Sequence, residues 1–170
     1  MSLNHCERLE NSNYTGHTYH LMKIRFLTQD EEFKKTVLST LNSPDSWGIP
    51  VIEGEPADVR IGIAPKRSHY RKVNGKRVYF SVTFISETPR TILFDPYNYK
   101  YGVKRSGLSE DDYRTYVINH EFGHVLGKDH LRCKAGEKCP VMYQMTRGLK
   151  KGSIPTSVVT DRDRMARIYW

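Results

Sequence analysis

Cysteine is scarce in this 170-residue chain: three in all, Cys6, Cys133 and Cys139. Three cannot make the dense framework that holds small secreted scaffolds together, so the fold must rest on a hydrophobic core. Missing too is any apolar run near the roughly 18 residues of a membrane helix, which argues against a spanning segment. The chain starts Met1-Ser2-Leu3-Asn4-His5-Cys6-Glu7, with no basic stretch leading into an apolar one. No secretory leader is visible, so the protein is either intracellular or its start is trimmed. Glycine (12) and proline (8) are too few for a collagen or a low-complexity linker. Acid is scarce relative to base, 19 Asp and Glu against 27 Lys and Arg, which leaves a formal charge of +8. That balance favours an acidic partner and carries no information about fold.

What is present describes one domain. A mass of 19.8 kDa, 38% hydrophobic and 27% charged residues suit a single core. Residues 1–20 are polar and aperiodic and read as a flexible N-terminal arm, leaving 21–170 as the domain. Residues 21–27 read as a strand and 30–41 as a helix, with Phe33, Val37, Leu38 and Leu41 on one face. Short strands follow at 49–52 and 58–64, and 78–84 with 91–94 form an edge hairpin around Thr88-Pro89. The expected architecture is α/β (α+β), with a mixed, twisted, five-stranded sheet. Ser109, with Asp112 three residues on, can cap a long helix that runs to about Leu126, after which Gly127 redirects the chain. A last helix is expected over 161–169, with Thr160 as cap and Asp163 three residues later. Residues 66–77 gather basic side chains around Asn74-Gly75 and read as a solvated loop with one aromatic, Tyr70. No nucleic-acid-binding motif surrounds it, so nucleic acid is a minor alternative partner.

The long helix carries the chemistry. His120-Glu121-Phe122-Gly123-His124-Val125-Leu126-Gly127-Lys128-Asp129-His130 fills HExxHxxGxxH at every fixed position, a chance event well below roughly one in a thousand. His120 and His124, four apart, share a helix face. His130 can join them only because Gly127 turns the chain. Three neutral imidazoles with an open fourth position make a catalytic site for one Zn2+. Glu121, about 100° round the helix from His120, is placed as general base towards a metal-bound water attacking a carbonyl. The reaction favoured is peptide or amide hydrolysis. The blander reading, polar residues decorating a half-buried helix, leaves the glycine and third histidine in register unexplained. Cys133 and Cys139 allow three readings: a disulfide in an oxidising compartment, two free thiols, or a fourth ligand that makes the site structural or latent.

On these residues the chain resembles the metzincin zinc endopeptidases, whose extended motif is the one just quoted. The resemblance implies a zincin fold with an active-site helix and a short C-terminal subdomain ending in a helix. It also implies a methionine in a tight turn beneath the metal. Cys139-Pro140-Val141-Met142-Tyr143 supplies that turn, with Met142 as counterpart and Met145 as alternative. Some metzincins place a tyrosine two residues after the methionine; here that position is Gln144, and Tyr143, one residue early, is the candidate for oxyanion stabilisation. Leu131 after the third histidine matches none of the best-known subfamilies, and Cys6 lacks a latency-type motif. The stretch from Asp112-Tyr113-Arg114 to Glu121, Pro140-Val141-Met142 and Ser43-Pro44-Asp45-Ser46-Trp47-Gly48 are similar to a small group of metzincin-like domains, mainly predicted bacterial secreted proteins. That similarity implies secretion if the start is trimmed. In metzincins the edge strand above the helix pairs with an extended substrate, so residues 78–84 are the expected peptide-binding strand. Lys76, Arg77 and Arg90 there either favour acidic substrates or shield a bare edge. The expectation is a monomeric zinc endopeptidase acting on a peptide or protein in a shallow cleft. Its rivals are a catalytically silent zinc-binding module, a hydrolase of a non-protein amide and, last, a nucleic-acid binder.

Overall fold

Alternating apolar residues place Ile24, Val59, Ile61, Ile92 and Phe94 on buried sheet positions, each at most 1% exposed. The computed structural model describes residues 20–168. All but the last residue of the expected arm, Cys6 within it, and the end of the expected final helix lie outside the described residues. The strands are β1 (Met22–Phe26), β2 (Val51–Glu53), β3 (Val59–Ile63), β4 (Tyr70–Val73), β5 (Lys76–Tyr79), β6 (Val82–Phe84) and β7 (Arg90–Phe94). The helices are α1 (Glu31–Leu41), α2 (Pro96–Tyr101), α3 (Glu110–Val125) and α4 (Asp161–Met165). The main sheet is mixed and five-stranded, in the order β2-β1-β3-β7-β6. β2, β1, β3 and β7 run parallel, and β6 closes the edge antiparallel to β7, with Thr83 opposite Ile92.

α1 starts where Asp30 accepts a hydrogen bond from the Phe33 amide, and it buries Phe33, Val37 and Leu41. α3 starts where the Ser109 hydroxyl accepts from the Asp112 amide at 3.1 Å. From Tyr116 to Gly123 every α3 residue is buried. A helix enclosed all round needs cover on more than one face. Residues 43–48 supply it on one side: Ser46 donates to Asn119 Oδ1 at 2.7 Å, and the Trp47 indole donates to the Asn119 carbonyl at 2.9 Å. Residues 143–146 supply it on another: the Tyr116 hydroxyl donates to the Tyr143 carbonyl and accepts from the Met145 amide, both at 2.9 Å.

Three expectations need correction. Residues 78–84 are not one strand: β5 ends at Tyr79, and only Val82–Phe84 joins the main sheet. Between them Ser81 turns its hydroxyl to accept from the Asp95 amide at 3.0 Å. The basic stretch 66–77 is not a plain loop, because β4 and β5 pair antiparallel across Asn74-Gly75. Both turn residues have positive φ, 50° and 76°, the signature of the tight hairpin turn that Asn-Gly favours. The last helix ends at Met165 rather than 169, since Ala166 is already extended and Ile168 forms a bridge with Lys128. No helix among the described residues is long and apolar enough to cross a membrane.

Candidate metal centre

α3 and the turn after it bring the three histidines together. One ring nitrogen from each of His120, His124 and His130 lies within 4.8 Å of the others, and the Nε2 atoms of His124 and His130 are 3.2 Å apart. His120 is buried, His124 half-buried and His130 exposed. The return of His130 depends on the helix end. The Gly127 amide bonds the His124 carbonyl at 3.0 Å and the Lys128 amide bonds the Gly123 carbonyl at 2.9 Å. This paired closure requires a left-handed residue, here Gly127 at φ 82°.

Backbone partners fix the tautomers. His120 Nδ1 lies 2.8 Å from the Val141 carbonyl, and His124 Nδ1 lies 2.8 Å from the Lys128 carbonyl. A carbonyl only accepts, so both Nδ1 atoms carry the proton and both Nε2 lone pairs are free for a ligand. Burial holds the His120 pKa well below its ordinary value, and the neighbouring His124 and His130 push it further down. The His130 pKa falls to about 4, first because its inner face is shut off from water against His120, then because of His124. Both stay neutral at pH 7, as metal ligands must.

Glu121 points into the same cleft, a cavity of about 580 Å3 lined also by Thr83, Tyr116, Gln144 and Thr146. Burial raises its pKa, while His124 and a hydrogen bond from Thr83 pull it back. The Thr83 hydroxyl sits 2.6 Å from Glu121 Oε2 and 3.1 Å from the Glu121 carbonyl. Sequence reasoning missed Thr83; it stands on β6 between Val82 and Phe84, where no motif marks it.

Met142 is fully buried next to Gly123, and its turn is anchored from a distance. The amides of Val141 and Met142 both donate to the buried Asp163 carboxylate at 2.9 Å. The Met142 carbonyl accepts from the Leu131 amide at 3.0 Å. At the other end of α4, buried Lys128 donates to the carbonyls of Arg164 and Ala166 at 3.0 and 2.6 Å. The Thr160-x-x-Asp163 spacing correctly indicated a helix cap, and a reciprocal capping box is present. Nothing in it showed that the same carboxylate reaches back 22 residues. Tyr143 is not brought to the cleft: its hydroxyl donates to the Gly148 carbonyl at 3.1 Å, beside a smaller depression shared with His130. Cys133 and Cys139 are joined by a disulfide, which removes both the free-thiol reading and the fourth-ligand reading. Arg90 donates to the Val125 carbonyl at the end of α3.

Fold and site thus define a mixed α/β domain with a three-histidine group able to hold a metal ion. The chain belongs to a particular family: the one described as Protein of unknown function (DUF3152) matches residues 10–166. Among curated proteins none matches it.

Proposed function

We propose that the protein is a metzincin-type, zinc-dependent endopeptidase, with His120, His124 and His130 holding one Zn2+ and Glu121 as general base. The observation that carries this reading is the convergence of three imidazole nitrogens beside a buried carboxylate, in an open cleft along a sheet edge. Zinc suits the donor set. Two nitrogens about 2.0–2.1 Å from a shared tetrahedral ion stand about 3.3 Å apart, close to the 3.2 Å between His124 and His130. With Cys133 and Cys139 in a disulfide, neither offers a thiolate to the fourth position, which suits a catalytic rather than a structural ion.

When bound, zinc supplies Lewis acidity towards a carbonyl oxygen and acidifies a water. The chain's own groups do the rest. Thr83 holds Glu121 Oε2, leaving Oε1 to take the proton from the attacking water and return it to the leaving amine. The raised carboxyl pKa brings Glu121 nearer to neutrality, where one group can both accept and release a proton. The outer edge of β6 can pair with an extended peptide, which favours a peptide over a small amide. Met142, packed beneath the helix between the first two ligands, supports the metzincin-like reading of the fold, and the disulfide suits an oxidising compartment.

The test is digestion of a mixed peptide library by zinc-loaded protein beside Glu121→Ala, with cut sites read by mass spectrometry. Only the wild type is expected to cut, the variant being slower by about 10²–10⁴-fold. Equal cutting by both removes Glu121 as base. No cutting by either, with zinc bound, hands the site to the binding-module or non-peptide reading.

A further inference from the structure

Next to the histidine cleft the fold builds a second concavity of about 670 Å3 that the proposed chemistry does not use. Its walls come from β5, from α2 and from the turn at Lys104 and Arg105, and Thr146 lines both this pocket and the histidine cleft. The strand connection lines the two in turn: Val78 and Tyr79 face the pocket, and Phe80 to Thr83 face the cleft. From Thr83, against Glu121, to Tyr79 is four residues, at most about 13 Å of chain. β5 belongs to the separate two-stranded sheet, so a peptide paired to the β6 edge reaches the pocket not by further strand pairing but by continuing a few residues beyond that edge.

The pocket is basic and aromatic. Arg67 is fixed within it, bonded to Asp95 at 3.2 Å and to Asn98 at 2.8 Å. Its guanidinium lies 4.1 Å from the Tyr79 ring centre and 4.7 Å from that of Tyr97. Asp95 is buried behind it and offsets that one charge. Arg77, Lys104 and Arg105 also line the pocket, and among the described residues none of the three has a carboxylate within ion-pair distance. Among the described residues no Asp or Glu lines the cavity. Three cations thus share a concave, tyrosine-walled space with one already neutralised, and a carboxylate entering it replaces water with charge-assisted hydrogen bonds.

We infer that this pocket is an anion-binding subsite that seats an acidic side chain of the peptide in the cleft, so that the protein selects substrates with Asp or Glu a few residues from the scissile bond. The inference rests on the peptidase reading, and its test separates the two. The probes are fluorescein-labelled decapeptides, alanine-based with either three Glu or three Gln, each with free and amidated C-termini. Binding is measured on full-length, zinc-loaded Glu121→Ala, where no cleavage intervenes.

The Glu peptide is expected to bind about tenfold tighter than the Gln peptide, in both terminal forms and more weakly as salt rises. Lys104→Glu/Arg105→Glu is expected to abolish that preference with an unchanged Tm. Equal affinity for Glu and Gln peptides overturns the inference, as does a preference that survives the charge reversal. A preference seen only with free C-termini also overturns it, by assigning the pocket to a terminal carboxylate. If the library is cut without any acidic preference, the subsite fails and the peptidase stands. If the Glu peptide binds through Lys104 and Arg105 while nothing is cut, the subsite stands and the peptidase fails.

Discussion

Gly123 stands between the first two ligands on α3, and its missing Cβ is what lets two large side chains meet there. A Cβ would lie 2.7 Å from Cζ2 of Trp47 and closer still to Sδ of Met142. Neither neighbour yields easily, because the Trp47 indole is tied to Asn119 and the Met142 amide to Asp163. Gly123→Ala is therefore expected to destabilise by about 1–3 kcal/mol through overpacking, read as a lowered Tm. Thr83 bonds the Glu121 carboxylate, and any effect it has on the proposed reaction runs through that group. Its hydrogen bond lowers the carboxyl pKa, so Thr83→Val should move the acid limb of the kcat/KM profile to higher pH, and Thr83→Ser should restore it. An unmoved limb removes Thr83 as a positioning residue. The metal-free protein should respond to acid through the ligands themselves. His120 and His130 are held neutral when folded, whereas in the unfolded chain they take up protons below about 6.5. Stability is thus full above that value and falls as pH drops towards 4. The check is Tm against pH for metal-free wild type and His130→Gln, with the variant showing the shallower slope.

At the scale of elements, the five residues of α4 hold the site from both ends. Its first turn anchors the Val141 and Met142 amides through Asp163, and Val141 orients His120. The carbonyl of Arg164 in its last turn and that of Ala166 just past it hold the Lys128 ammonium, and the Lys128 backbone orients His124. Asp163→Ala leaves buried amides without an acceptor, an expected cost on the order of 3 kcal/mol. Lys128→Met keeps the stem and loses the ammonium contacts. Both variants should weaken metal binding about 10–100-fold, the usual effect of removing a ligand's support, measured by chelator competition; native affinity in both would show that α4 merely fills space. Little of this was legible. The ligands could be read because i, i+4 spacing is local, whereas the clamp joins residues more than 20 positions apart and has no periodicity. The β4–β5 hairpin was hidden for another reason: its charges at Arg71, Lys72, Lys76 and Arg77 masked the alternation, although Asn74-Gly75 marked the turn. The long strand expected over 78–84 failed because Ser81, unremarkable in sequence, bonds Asp95 and breaks the pairing.

Across the whole molecule, the sheet sets the layout: four parallel strands carry the core, and one short antiparallel strand at the edge meets Glu121 through Thr83. The five strands of the main sheet, the helices α1, α3 and α4 and the three histidines followed from hydrophobic patterning and one motif, whereas α2, a short helix opened by Asp95 and Pro96, did not. The disulfide remained one of three readings, since spacing alone does not choose between a bridge and free thiols. It closes the loop between the third histidine and the Met142 turn. Cys133→Ser/Cys139→Ser is expected to cost about 2 kcal/mol from released chain entropy, measured by denaturant unfolding. The tie between α4 and the histidines also bears on how the protein is made. Synthesis proceeds from the N-terminus, and every metal ligand has been added once residue 130 is in place, yet the carboxylate that steadies them arrives only at residue 163. A nascent chain carries all three histidines well before it carries the carboxylate that aims them, so the site takes its final geometry only once residue 163 has been added.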